Sequence, residues 1–352
     1  MPTLIKTRDV SAEDASKKHK LLQRPLRSCP LPTPKQVQNW MQARLEEFCI
    51  EFLRAVSENE RMSSVNRLSF PKHAKRCAQM FRLVDLLHQA INNNTVLQLR
   101  DIYYHDVGLF ERQSTVDALV RELTRTFCCS RSELHVTAAG KGLVYGPVTI
   151  HTKLDTISCM SKPWIIQYSL DIQSIRTSAD TLVIVEKEAT FHTLIDAFPL
   201  PNVVFVTAKG FPDLSTRQFI SLFVQETGVR RAYGLFDWDP YGVSIYMCYK
   251  YGSSVTRNEN MCTTKTLQPI GPFYEDFKQL DEQFMLPITT RDFRIASNLL
   301  RTIRPLQEPI VVRELQKMLF LARKAEIQGI PNVKTWLSKK ISQLPFSTEI
   351  PS

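Results

Sequence analysis

The sequence predicts a mixed α/β chain in two parts, and three observations carry that expectation. Up to about residue 130 the apolar residues recur at helical spacing. Glu133 to Ile150 then alternates as a strand pair about Gly140-Lys141-Gly142, and from Thr181 short apolar runs alternate with helical stretches. Helices closed by a glycine-tipped basic hairpin predict a winged-helix layout, which docks on DNA. Strands alternating with helices predict a parallel sheet covered on both faces. A length of 352 residues fits two such units better than one core.

Thr33 and Pro34 supply an N-cap and a first-turn proline, and Val37, Trp40, Met41, Leu45, Phe48, Phe52 and Val56 follow on one stripe. A second helix is expected from His73 to Ile91, closed by Asn92-Asn93-Asn94, and a third from Ser114, where Ser114 and Asp117 read as a capping box. Strands are expected at Thr181 to Val185, Val203 to Val206 and Ala232 to Phe236. Helices follow them at Ala189 to Phe198, Leu214 to Glu226 and Tyr241 to Tyr251. Two more helices are expected at Arg291 to Thr302 and Glu308 to Gln328, the last stopped by Gly329. The domains then read as a basic, proline-containing arm at 1–32, the helical winged unit at 33–155 and the sheet unit at 172–340.

Composition narrows the class. Hydrophobic residues are 43% and charged residues 23%, and no apolar run approaches the ~18 residues of a spanning helix, which excludes a membrane protein and wholesale disorder. Lys6, Arg8 and Asp9 interrupt the apolar core that a secretory signal needs, so the eight cysteines are expected to be reduced. None forms CxxC, which favours buried thiols over a zinc knuckle. A net charge of +10 and a pI near 9.2 point to a polyanion such as nucleic acid. Arg61 to Arg82 holds Arg61, Arg67, Lys72, Lys75, Arg76 and Arg82 without an acid, either to face phosphates or as a solvated helix face. Lys17-Lys18-His19-Lys20 reads as a short nuclear address.

In parallel sheets chemistry gathers beyond the carboxyl ends of the strands, where Glu186, Asp237 and Asp239 stand. Three converging carboxylates repel by about 1 kcal/mol per pair at 4 Å in water and about 4 at an effective dielectric near 20, so a divalent cation is one remedy. An all-oxygen set favours magnesium or manganese. The other reading is helix N-caps on strand-to-helix turns. In Arg100-Asp101-Ile102-Tyr103-Tyr104, strand and helix periods both place Arg100 beside Tyr104. A phenol is only ~0.1% ionised at pH 7, so a nucleophilic tyrosine needs a neighbouring charge, which Arg100 supplies. Packing is the alternative for paired tyrosines. Lys209-Gly210-Phe211-Pro212-Asp213 marks a turn whose glycine is expected to tolerate no side chain, with Arg217 four residues on. Lys209 and Arg217, with Lys141 of the hairpin, are candidate DNA contacts. The pattern GxxxxGK[ST] is absent, so no P-loop ATPase is expected.

Taken in order, Leu99 to Tyr104, Val185 to Ala189, Lys209 to Asp213 and Phe236 to Gly242 resemble the A subunit of topoisomerase VI. They resemble more closely its eukaryotic relatives, the meiotic transesterases that make programmed DNA double-strand breaks. Arg291-Asp292 and Lys324-Ala325-Glu326-Ile327-Gln328 are similar to that family's C-terminal signatures, and the likeness spans about residues 75 to 330. It implies a winged-helix domain of the catabolite-activator type joined to a Toprim domain, which is a Rossmann-like parallel-sheet fold. It implies Tyr104 as the nucleophile that stays on the DNA 5′ end, Arg100 as its supporting cation, and Glu186, Asp237 and Asp239 as a Mg2+ site that Mn2+ could also fill. The implied partners are double-stranded DNA, a second copy whose metal site serves this copy's tyrosine, meiotic accessory proteins and a topoisomerase VI B-like subunit. The implied place of action is the chromosomes of the nucleus. Phe211 stands where many relatives carry tyrosine, and Glu188 is either a supporting carboxylate or simply exposed. The residues alone leave two other classes open: a Toprim-type metal-dependent DNA hydrolase with a structural Tyr104, and a non-catalytic DNA-binding module.

Overall fold

Apolar side chains collect in three clusters, one among the helices of the first half and two on the sheet of the second. The computed structural model describes residues 34–58, 71–137, 140–153, 155–166, 172–196, 200–229, 231–252, 262–278, 280, 284–303 and 306–343. The basic arm, the Lys17-Lys18-His19-Lys20 stretch, Arg61 and Arg67 lie outside the described residues.

Helices α1 (Pro34–Ser57) and α2 (Ala74–Asn92) share a core through Met41, Leu45 and Phe48 on one and Met80, Leu83 and Leu87 on the other. The short strand β1 (Leu97–Gln98) runs directly into α3 (Leu99–His105), followed by α4 (Val107–Phe110) and α5 (Gln113–Phe127). The expected capping box at Ser114 is not what starts α5. Extended Arg112 precedes the helix, and the Asp117 carboxylate is taken by Arg121 at 3.1 Å and Arg131 at 2.9 Å. The basic stretch is also less bare than local counting suggested. Lys75 pairs with Glu111 and Arg76 with Glu122 at 2.6 Å, both distant acids, and Arg82 pairs at 2.7 Å with Asp85, just beyond the end of the run.

Among the described residues the strands flanking Gly140 do not pair with each other as the expected hairpin. Strand β2 (Val136–Thr137) pairs in parallel with β1, while β3 (Leu143–Tyr145) runs antiparallel to Val203–Thr207 in the second half. Gly142 shows why the chain can go there. A Cβ at this position would lie 2.2 Å from Thr216 Oγ1, so the bare backbone is what lets the segment lie against the helix carrying Thr216.

From here the chain builds sheet. β4 (Val148–Thr152), β5 (Thr156–Ser158) and β7 (Ile172–Thr177) form an antiparallel sheet in the order β5-β4-β7, and β6 (Trp164–Ile165) pairs with β3. Then β8 (Thr181–Val185), α6 (Glu188–Asp196), β9 (Val203–Thr207), α7 (Leu214–Thr227), β10 (Arg231–Leu235), α8 (Pro240–Tyr251) and β11 (Leu267–Gly271) alternate. The six strands lie in the order β11-β10-β8-β9-β3-β6; the first four pair in parallel and β3 runs antiparallel to both its neighbours, so the sheet is mixed rather than wholly parallel. Every residue of β8, β9 and β10 is buried, as strands covered on both faces must be.

The remainder is α9 (Tyr274–Phe277), β12 (Met285–Pro287), α10 (Thr290–Ile303), α11 (Pro309–Leu321), β13 (Arg323–Ala325) and α12 (Val333–Gln343). The helix expected to run to Gln328 stops at Leu321, because Ala322 turns into the left-handed region at φ 52. The chain then pairs with β12 and donates the Ala325 N–H to the Trp238 carbonyl at 3.0 Å, bringing residues 323–328 over the sheet's carboxyl edge. All seven described cysteines are free. Among the described residues no helix is long and apolar enough to cross a membrane.

Candidate active site

The tyrosine pair lies on a helix, not a strand. Extended Gln98 opens α3, with its N–H donating to Asp101 Oδ2 at 3.4 Å. Leu99 and Ile102 are buried and Tyr103 packs on the helical core, which fixes the helix's rotation. Arg100 and Tyr104, one turn apart, then share the outward face, and Tyr104 is 60% exposed. Packing therefore falls to Tyr103, whose ring centroid lies 5.3 Å from that of Tyr104.

The three carboxylates follow the carboxyl ends of neighbouring strands β8 and β10. Glu186 Oε2 accepts the Asp237 N–H at 2.9 Å. Asp239 is the N-cap of α8, its Oδ1 accepting the Gly242 N–H at 2.6 Å, so the capping alternative holds for Asp239 but not for Glu186. Between the aspartates, Trp238 is buried and donates its Nε1–H to Glu314 Oε2 at 2.8 Å, which anchors the segment. Burial, and then the neighbouring Asp237 charge, push Glu186 up to about 8. Burial likewise raises Asp239 to about 6, against the opposing Gly242 N–H, and it raises Asp237 against the Lys187 ammonium and the Ile327 N–H.

Asp237 is held on both sides. Its Oδ1 accepts the Ile327 N–H at 2.8 Å, and its Oδ2 pairs with Lys187 Nζ at 2.8 Å. Lys187 also reaches Glu326 Oε2 at 2.9 Å and Gln328 Oε1 at 2.8 Å. Burial works against this ammonium, but the two carboxylates outweigh it and hold its pKa above the ordinary value. Sequence reasoning gave Lys187 and residues 326–328 no role. The signals were a lysine directly after Glu186 and a C-terminal signature without an assignment.

The donor chemistry fits a hard divalent cation: carboxylate oxygens only, half-buried or buried, with their charge pushed toward neutralisation. One oxygen each of Glu186 and Asp239 is spent on a backbone N–H. The side chains are not gathered into a ready-made cluster of three ligands among the described residues.

Of the expected DNA contacts, Lys141 and Lys209 are exposed and adjacent, with Lys141 Nζ donating to the Lys209 carbonyl at 3.4 Å. Lys209 Nζ pairs with Glu188 at 2.8 Å, and the Gly210 N–H donates to the Glu186 carbonyl at 2.8 Å, which ties this turn to the acidic edge. Gly210 is required for its backbone, at φ +96, and not for space, since nothing lies near its missing Cβ. Arg217, in contrast to the two lysines, is only 4% exposed, because α7 is buried around most of its circumference, and it lines a cavity of about 460 Å³ with Arg131, Phe211 and Met247. No hydrogen bond or ion pair joins Tyr104 or Arg100 to the three carboxylates among the described residues.

The Toprim domain of the topoisomerase 6 A-subunit/Spo11 family matches residues 181–341, and the family described as "Type IIB DNA topoisomerase" matches residues 75–136. The meiotic recombination protein rec12 of Schizosaccharomyces pombe is 41% identical over 81% of this chain and 81% of its own length. The meiotic recombination protein SPO11 of Homo sapiens is 30% identical over 74% of this chain and 68% of its own. The A subunit of DNA topoisomerase 6 from Arabidopsis thaliana is 31% identical over 71% and 60% respectively. With a mixed sheet bearing carboxylates at its carboxyl edge and a helical unit presenting an exposed tyrosine, this chain belongs to the family of Spo11 and the topoisomerase VI A subunit.

Proposed function

We propose that this protein is a topoisomerase-like DNA transesterase that makes programmed double-strand breaks to initiate meiotic recombination. The observation that carries the reading is Tyr104, exposed and sharing its helical face with Arg100, in a chain whose sheet edge carries Glu186, Asp237 and Asp239. Tyr104 Oη attacks a backbone phosphorus and gives its proton to solvent, the P–O3′ bond breaks, O3′ takes up a proton and leaves as a free 3′-hydroxyl, and the DNA 5′ end remains joined to the tyrosine. Arg100 lowers the cost of the phenolate and of charge on the phosphoryl oxygens. The diester energy is kept in the new bond, so cleavage needs no ATP from this chain.

Glu186, Asp237 and Asp239 would hold the divalent cation, Mg2+ or Mn2+. When bound, it supplies Lewis-acid charge beside the phosphate. Lys141 and Lys209 face the DNA backbone. The helical unit, taken at 33–155, is the part that brings the tyrosine to DNA and is of winged-helix type, although the strands flanking Gly140 do not pair as its wing and β3 goes to the sheet of the metal-binding unit at 172–340; the arm at 1–32 precedes both. Cutting both strands takes a dimer, in which the tyrosine of one copy serves the metal site of the other. A topoisomerase VI B-like subunit, meiotic accessory proteins and a nuclear, chromosomal place of action complete the reading.

The test is recovery of broken DNA under denaturing conditions. Covalent protein on 5′ ends, lost in Tyr104→Phe and in EDTA, is expected. Free 5′-phosphate ends, or breaks that persist in Tyr104→Phe, would indicate a hydrolase instead.

A further inference from the structure

We propose that Lys187 is an internal cation of the acidic edge, built in to weaken divalent-ion binding there. The inference rests on the reading of Glu186, Asp237 and Asp239 as the ion's ligands. An ammonium has three N–H donors, and Lys187 commits them to Asp237 Oδ2, Glu326 Oε2 and Gln328 Oε1, all at 2.8–2.9 Å. Its acceptors come from two separate places, the second residue beyond β10 and the segment after β13, so it also ties the C-terminal signature to the site. The other Asp237 oxygen is held by the Ile327 N–H, on a segment that is fastened independently of Lys187 through the Ala325 N–H on the Trp238 carbonyl at 3.0 Å.

The direction of the effect follows from charge. An ion taking Asp237 through Oδ2 must share that oxygen with the ammonium or move it aside, and one taking Oδ1 still sits on the same carboxylate as the ammonium. Sharing sets a single and a double positive charge within a few ångströms, and displacement forfeits three charge-assisted hydrogen bonds. Both lower affinity, and the direct Coulomb repulsion alone corresponds to roughly tenfold at about 5 Å in a water-like dielectric. Losing Lys187 does not free Asp237 to wander, because Ile327 still orients it. Removing the ammonium therefore tightens divalent binding, where removal of an ordinary supporting residue would loosen it.

The experiment titrates Mn2+ into the full chain, following free Mn2+ by electron paramagnetic resonance, with melting temperature in EDTA and in Mg2+ as a second readout. Lys187→Met and Lys187→Gln are expected to bind Mn2+ roughly tenfold more tightly. They should melt lower in EDTA, having lost the counter-charge, and gain more from Mg2+ than the parent does. Lys187→Arg keeps the charge and should bind as the parent. Equal or weaker binding in the neutral variants, or tightening in Lys187→Arg as large as theirs, overturns the proposal. Glu186→Gln and Asp239→Asn test the underlying reading separately: if neither weakens Mn2+ binding, the ligand assignment itself fails, whatever the Lys187 variants do.

Discussion

Glu186 Oε2 accepts the Asp237 backbone N–H at 2.9 Å, so one carboxylate of the acidic edge orients the main chain that carries the next. The bond joins the ends of β8 and β10, and Gly210 fixes the Glu186 carbonyl from the other side at 2.8 Å. Geometry at this edge is thus set by backbone donors, while the buried charges oppose it.

That opposition separates two substitutions at one position. Glu186→Gln keeps an acceptor for the Asp237 N–H and has no carboxyl that ionises more readily in the unfolded chain than in the folded one, so its melting temperature in EDTA should exceed the parent's by a margin that grows as pH rises from the ordinary carboxyl range to about 8. Glu186→Ala leaves the N–H unpaired in a buried setting, which costs about 1–3 kcal/mol. Neither should form the covalent DNA adduct. Thermal melts beside a denaturing-gel adduct assay check both halves.

Asp292 gives the acid limb of stability. It is 1% exposed, its Oδ2 accepts the Thr289 N–H at 2.8 Å ahead of α10, and it pairs with Lys324 at 2.9 Å, fastening β13 to that helix. Burial pushes the carboxyl up, but the Lys324 ammonium and the Thr289 donors outweigh it and hold it below the ordinary value. A depressed carboxyl stabilises the fold above its unfolded pKa, and that contribution is lost as pH falls through the lower, folded one. Asp292→Asn should cost about 3 kcal/mol at pH 7, as breaking a buried pair does. The gap to the parent should narrow as the pH falls below the ordinary carboxyl range and close as the folded-state carboxyl protonates, read from urea midpoints across the acid limb.

Exposure divides the basic residues. Lys141→Ala and Lys209→Ala should each reduce the slope of log affinity against log salt for duplex DNA by about 0.9, one phosphate contact apiece. Arg217→Ala should leave that slope alone, since Arg217 is buried, and should instead destabilise the fold by about 1–3 kcal/mol. Fluorescence anisotropy at several salt concentrations, beside a melt, distinguishes the two behaviours.

How much of this was legible in the sequence depended on how local its cause was. Continuous apolar runs marked β8, β9 and β10, and the Arg100–Tyr104 face followed from a spacing of four, because period alone decides such features. The partners of Lys75 and Arg76 stand 36 and 46 residues away, so no count within the stretch could find them. Lys187 was invisible as a clasp for the same reason, with Glu326 and Gln328 lying 139 and 141 residues on. Leu143–Tyr145 alternates like half a hairpin, and period cannot say which strand an edge will choose.

The choice that β3 makes rests on Gly142 and can be tested there. A Cβ at 142 would meet Thr216 Oγ1 at 2.2 Å, and Thr216 is itself held, its hydroxyl donating to Asp213 Oδ2 at 2.7 Å within the N-cap of α7. Gly142→Ala must therefore push β3 away from α7 or break the cap, an overpacking cost of about 1–3 kcal/mol. Thr216→Ala alone should cost about 1 kcal/mol for the lost hydrogen bond. Because the removed hydroxyl is the atom the new methyl strikes, the double variant should be more stable than the sum of the two by at least about 0.5 kcal/mol. Strict additivity in urea unfolding would mean that Gly142 and Thr216 do not touch, and that β3 does not reach this sheet.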